Sequence, residues 1–140
     1  MSRTRELAVR AALGDGIVLG GPNRYEAELA AEICRRFPSL ELVRFCNSGT
    51  EANENAMRMA RMATGREKIV TFTGGFHGRT ADSISATFLG KYREIGKPNV
   101  PGHVAAELGN IGSVAAIADG ETAAIMVEPV QSRRPDFQPV

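Results

Sequence analysis

The sequence predicts an α/β fold in three layers, with helices on both faces of a mainly parallel sheet. Three observations carry that expectation. Short apolar runs alternate with stretches of helical periodicity, the order that builds parallel sheets through crossover helices. Clusters of glycine, proline and asparagine separate the two kinds of segment. The chain has 140 residues, 43% hydrophobic and 24% charged, enough for one modest domain of ordinary globular composition.

The first helix is expected over Glu6–Leu13, stopped by Gly14, Asp15 and Gly16. Four glycines and Pro22 make the stretch from Gly14 to Asn23 a turn. A second helix should run from Tyr25 to Arg36, with Leu29, Ile33 and Phe37 on one face, and end at Pro38. Leu40–Cys46 is a strand candidate, followed by an abrupt turn at Asn47–Thr50. Helical spacing then resumes with Ala52, Ala56, Met59, Ala60 and Ala63 as the apolar stripe and Glu54–Arg58 as an ion pair one turn apart. Gly65 closes that helix. Lys68–Phe72 is a β-branched strand that runs into a glycine-rich loop, Thr73 to Thr80. From Gly90 to Gly112 the chain reads as long irregular loop, then as a helix over Ile111–Ala118 and a third strand over Ala123–Val127. The expected organisation is an N-terminal helix and loop (1–24), a main domain (25–131) and a proline-rich tail (132–140).

Charge and cysteine count exclude several functions. Seventeen cationic against sixteen anionic side chains give a net charge of +1, so no field points to nucleic acid or an anionic membrane. Two cysteines, Cys34 and Cys46, are too few for a disulfide framework or a four-ligand zinc site, and both read as packing residues. No apolar run approaches the ~20 residues that span a bilayer, and a cytoplasmic protein without a metal site is the expectation.

Three segments carry candidate chemistry. At Asn47-Ser48-Gly49-Thr50-Glu51-Ala52-Asn53 a strand is expected to turn into a helix. The free N–H groups of that helix end, with Gly49 and the hydroxyls of Ser48 and Thr50, suit a phosphate. The same residues also suit a simple helix cap. In Gly74-Gly75-Phe76-His77-Gly78-Arg79-Thr80, an aromatic face and an arginine fork suit a flat anionic ligand, while a tight turn with Phe76 in the core fits equally. Glu128 ends a strand where α/β sheets place ligands, though it can equally face water. His103 reads as a solvated loop histidine, and Arg133 with Arg134 as a solvated pair. Gly14-x-Gly16 lacks the preceding strand of a dinucleotide loop, and Gly74–Thr80 lacks the lysine of a P-loop.

In order and spacing these segments resemble the class III pyridoxal-phosphate-dependent aminotransferases. The resemblance runs from about Tyr25 to Gln131 through Phe45–Asn53, Thr64–Val70, Gly75–Thr80 and Val127–Gln131. It implies part of the large domain of a fold-type I transferase and pyridoxal 5'-phosphate as cofactor. It also implies a small-molecule amino donor, a keto or aldehyde acceptor, and a homodimeric full-length protein. By resemblance, Ser48, Gly49 and Thr50 hold the cofactor phosphate, and Phe76 stacks on its ring with His77 beside it. Arg79 would grip a substrate carboxylate, and Glu128 matches a glutamate that in some members pairs with and releases an arginine.

The family's Schiff-base lysine and ring-nitrogen aspartate have no match here. Lys68, Lys91 and Lys97 precede Glu128, and Asp136 sits in the tail, so a piece inactive by itself is expected. Arg36–Ser39 and Val43–Phe45 resemble the glutamate-1-semialdehyde aminomutase branch, and Phe76–Thr80 the acetylornithine and ornithine branch. Gln131–Pro135 resembles aminotransferase domains built into modular synthetases. A non-catalytic phosphate-ligand or interaction module is the alternative of another class.

Overall fold

In the computed structural model, which describes residues 2–16, 21 and 23–132, side-chain caps start the first two helices. Ser2 accepts from the Arg5 N–H at the head of α1 (Arg3–Leu13), and Asn23 from the Glu26 N–H at the head of α2 (Arg24–Arg36). Both expected helices are present, each beginning a little earlier than periodicity indicates. Asp15 accepts from the Arg24 guanidinium at 2.6 Å and from the Tyr25 hydroxyl, tying the two together. Within the expected Gly14–Asn23 turn, residues 17–20 and 22 lie outside the described residues, as do Arg133, Arg134 and Asp136.

The chain divides into two units, Met1–Phe45 and Cys46–Val140. In the first, neither helix has a buried residue, and Leu29 and Phe37 stand exposed. The strand expected at Leu40–Cys46 does not form: no ladder runs through it, and Leu42 is 90% exposed. An apolar run becomes a strand only when a neighbour takes its backbone hydrogen bonds, and the described residues provide none.

The second unit holds α3 (Gly49–Thr64), β1 (Lys68–Phe72), α4 (Ala81–Ala86), α5 (Gly90–Ile95), β2 (His103–Ala106), α6 (Ile111–Ala115) and β3 (Thr122–Ile125). The three strands form a parallel sheet in the order β2-β1-β3. Side chains alternate across β1. Ile69 packs with Met57 of α3 and Ala86 of α4, while Val70 and Phe72 pack with Leu108 and the α6 residue Val114. Helices therefore cover both faces, as the sequence predicts. The chain steps from β1 to β2 on one side and returns across β1 to β3, so right-handed crossovers put α4 and α6 on opposite faces.

Three expectations are corrected here. The stretch from Gly90 to Gly112 is not irregular, since it contains α5 and β2. His-Val-Ala-Ala has weak strand propensity and becomes a strand because β1 pairs with it. The apolar stripe of α3 does not face the sheet: Ala52, Ala56, Met59 and Ala63 are exposed, and Met57 is its buried residue. Glu54 does not pair with Arg58. Its Oε1 accepts from the Thr80 hydroxyl and from the N–H groups of Asp82 and Ser83, both at 3.2 Å, and so caps α4 from a neighbouring helix.

His103 is also corrected, from solvated to buried. Its Nε2 lies 2.6 Å from Asp82 Oδ1, and Asp82 Oδ2 lies 2.6 Å from Arg61, joining β2, α4 and α3. Arg61 Nη2 lies 3.1 Å from the same Nε2, and Nδ1 is buried without a partner among the described residues. Burial is the main force lowering the His103 pKa; Asp82 opposes it, and Arg61 and Arg93 add to it. Burial acts against the charge of Asp82, but the bonds from Arg61 and His103 outweigh it and its pKa is lowered.

A histidine lowered on folding leaves the unfolded chain to take up a proton that the folded chain refuses. Its contribution is constant above the unfolded value, about pH 6.5, and stability falls as pH drops below it. The other histidine, His77, is lowered too. His103→Gln retains a donor for Asp82 and removes one of these two titrations. Denaturation between about pH 7.5 and 5.5 should therefore show a smaller loss of stability in this variant than in the wild type. An equal loss would mean that His103 titrates normally.

Candidate active site at the C-terminal end of the sheet

α3 runs antiparallel to β1, which follows it, so its first turn lies at the end of the sheet where β1 and β3 finish. Ser48 is extended, and its Oγ accepts from the Glu51 N–H at 3.2 Å. Ser48 is thus a true helix cap. The N–H groups of Gly49 and Thr50 remain, since the helical ladder supplies no acceptor to its first turn. Ser48 and Gly49 are exposed, and a Cβ built on Gly49 meets nothing within 4 Å among the described residues, so this positive helix end is uncovered by them.

The loop after β1 folds against that turn. Gly78 has φ 136°, and a Cβ there would lie 2.9 Å from the Cβ atoms of both Thr50 and Ser83. Asn53 Nδ2 donates to the His77 carbonyl at 2.7 Å, and the His77 N–H donates to Thr87 Oγ1 at 3.0 Å. Phe76 is half-buried, meets Tyr92 edge to face at 5.4 Å, and donates its N–H to Glu128 Oε2 at 3.1 Å. Glu128 Oε1 accepts from the Ser132 N–H at 2.8 Å. Burial works against the Glu128 charge, yet the N–H groups of Ser132 and Phe76 prevail and hold its pKa below the ordinary value.

The His77 ring is buried, and its Nε2 has no partner among the described residues. Burial lowers its pKa, Glu128 raises it and His103 lowers it, with a net fall. It is a neutral imidazole. Arg79 is exposed, its guanidinium carbon 5.9 Å from the Tyr92 ring centre.

The residues that the resemblance assigns to cofactor and substrate therefore lie at this end: Ser48, Gly49 and Thr50 on α3, Phe76, His77 and Arg79 on the loop, and Glu128 beyond β3. Glu128 meets backbone N–H groups and no arginine among the described residues. Asn53 and Gln131 were missed as site residues. Gln131 is buried and donates to the Thr73 carbonyl at 3.0 Å. Both lie within the matching motifs, but a lone carboxamide gives no local signal of what it bonds. A cavity of about 450 Å³ lies elsewhere, further along α3, among Glu54, Asn55, Arg58, Arg61, Met62 and Asp82. Its carboxylates are already engaged, Glu54 by α4 and Asp82 by Arg61 and His103.

A profile of the aminotransferase class-III family matches residues 17–137. The chain belongs to this family. It is 44% identical over 110 residues to an acetylornithine aminotransferase from Methanopyrus kandleri, covering 78% of this chain and 28% of that protein. It is 38% identical over 134 residues to a glutamate-1-semialdehyde 2,1-aminomutase from Francisella philomiragia, covering 88% and 31%. This class III chain thus spans about a third of the length of the curated relatives it matches.

Among solved structures, a β-phenylalanine aminotransferase from Variovorax paradoxus superimposes with a TM-score of 0.76 at 36% identity, over 95% of this chain and 30% of that one. A transaminase described with PLP bound superimposes at 0.74 and 29% identity, over 96% and 34%.

Two glycines separate crowding from openness at the site. Gly78→Ala combines a left-handed backbone with overlap on Thr50 and Ser83 and should cost about 2–4 kcal/mol. Gly49→Ala has helical backbone and free space, and should be neutral or stabilising by up to about 1 kcal/mol. Urea denaturation of both variants measures the contrast.

Proposed function

We propose that this chain is the cofactor-phosphate and ring-stacking part of a pyridoxal-phosphate-dependent aminotransferase acting on an amino-acid or amino-aldehyde and keto substrate. The observation that carries the reading is the packing of Gly78 on Thr50, because it puts the open first turn of α3 beside the Phe76 loop. A phosphorylated aromatic ring needs both features within one molecule's length.

The residues fit such a group. The N–H groups of Gly49 and Thr50, with the hydroxyls of Ser48 and Thr50, would hold its phosphate. Phe76 would cover one face of the ring, its backbone held to the end of β3 by Glu128. His77, neutral and buried, would sit beside the ring without adding charge. Arg79 would offer its exposed guanidinium to a substrate carboxylate, and Glu128 would stand near the substrate. When bound, the cofactor supplies an electron-withdrawing ring that takes up the electron pair released at the substrate α-carbon.

The lysine that must join the cofactor is not among the three in this chain. Lys68 pairs with Asp119 and donates to the Ile117 carbonyl, Lys97 pairs with Glu94, and Lys91 lies against the Tyr92 ring. Turnover therefore requires residues from the rest of a full-length, homodimeric and cytoplasmic enzyme. Similarity to both an aminotransferase and an aminomutase keeps transfer between molecules and a shift within one molecule as alternatives of the same chemistry.

4'-Deoxypyridoxine 5'-phosphate, which has no aldehyde, tests the seat without lysine chemistry. Calorimetric titration should show binding that weakens about tenfold in Thr50→Ala and in Phe76→Ala. No binding would overturn the reading. Unchanged binding in Phe76→Ala would favour a plain phosphate site.

Pyridoxal 5'-phosphate followed by borohydride tests the lysine assignment. Peptide mass mapping should find no stoichiometric label at any one lysine. A full label at Lys91 would assign the joining residue to this chain.

A further inference from the structure

The inward side of α3 carries polar residues where a packing helix ordinarily carries apolar ones. Thr50, Asn53 and Glu54 are half-buried there, Asn53 and Glu54 one turn and Thr50 two turns before Met57. Each meets the segment that leads from Phe76 into α4. Thr50 abuts Gly78, and its carbonyl accepts from Ser83 Oγ at 3.4 Å. Asn53 donates to the His77 carbonyl, and Glu54 caps the first turn of α4.

The far end of α4 is fixed as well. Thr71 Oγ1 donates to the Ala86 carbonyl at 3.0 Å, and the Gly74 N–H donates to the Phe88 carbonyl at 2.8 Å. Within this arrangement, Asn53 makes the side-chain bond from α3 to the backbone of the residue next to Phe76.

Resting on the functional reading above, we infer that Asn53 is a positioning residue: through the His77 carbonyl it sets the distance between the α3 first turn and the Phe76 ring, so that one phosphorylated aromatic ligand engages both. Its carboxamide has the reach and the donor for this. Leaving the His77 carbonyl without that donor frees the loop to move away from α3, while the first-turn N–H groups that receive the phosphate stay where they are. Asn53 thus acts on ligands that span the two features and not on phosphate by itself.

The test compares two probes on the whole chain, 4'-deoxypyridoxine 5'-phosphate and inorganic phosphate, by calorimetry. Asn53→Ala should weaken the ring-bearing probe about five- to tenfold, the scale of one lost hydrogen bond, and change phosphate affinity less than about twofold. Asn53→Leu keeps the size and loses the donor without adding charge; it should behave alike, and it serves if the alanine variant does not fold. Amide exchange should rise in residues 76–80 and stay unchanged in β1. A parallel loss for both probes, or no loss for either, overturns the positioning role. If the unaltered chain binds phosphate but gains nothing from the ring, the cofactor reading fails, and the role of Asn53 fails with it.

Discussion

Gly78 meets Thr50 at a separation that leaves no room for a side chain, and much of this end of the molecule depends on that contact. It brings the strand-following loop down onto the opening turn of α3. The hydrogen bond from Asn53 and the capping by Glu54 are possible only because that approach is so close. The backbone of Gly78 is left-handed as well as crowded, so two independent constraints select glycine at one position.

The sheet supplies the frame for this contact. Parallel strands end on one side, and the chain leaves each of them into a loop or turn at that side. β1 is the central strand, paired on both edges, and its alternating side chains separate a face under α3 and α4 from a face under α6. The opposite end of the sheet has its own polar tie, Arg61–Asp82–His103. Both ends are held by hydrogen bonds between helices and loops, and the apolar core between them is small.

Charge is handled differently at the two ends. Near Phe76, one carboxylate is stabilised by two backbone N–H groups, which fixes the loop without an opposing side chain. Near His103, a carboxylate between an arginine and a neutral imidazole joins three elements. Both histidines favour the uncharged ring, because burial is the main force lowering the pKa of each.

The residues by themselves determined the helices α1 and α2, the strand β1, the closure of α3 at Gly65 and the site segments, since caps, β-branched runs and glycine clusters act over a few neighbouring positions. Family resemblance also rested on those segments. Tertiary structure alone decided that β2 is a strand, that Leu40–Cys46 is not, which face of α3 turns inward, and that His103 is buried. In each case the deciding partner is distant in sequence: β1 completes β2, no neighbour among the described residues completes Leu40–Cys46, and the loop and α4 claim the polar side of α3. Hydrophobic periodicity misread α3 because its inward residues are there to form hydrogen bonds, and a pattern of apolar positions cannot register a helix face chosen for its donors and acceptors.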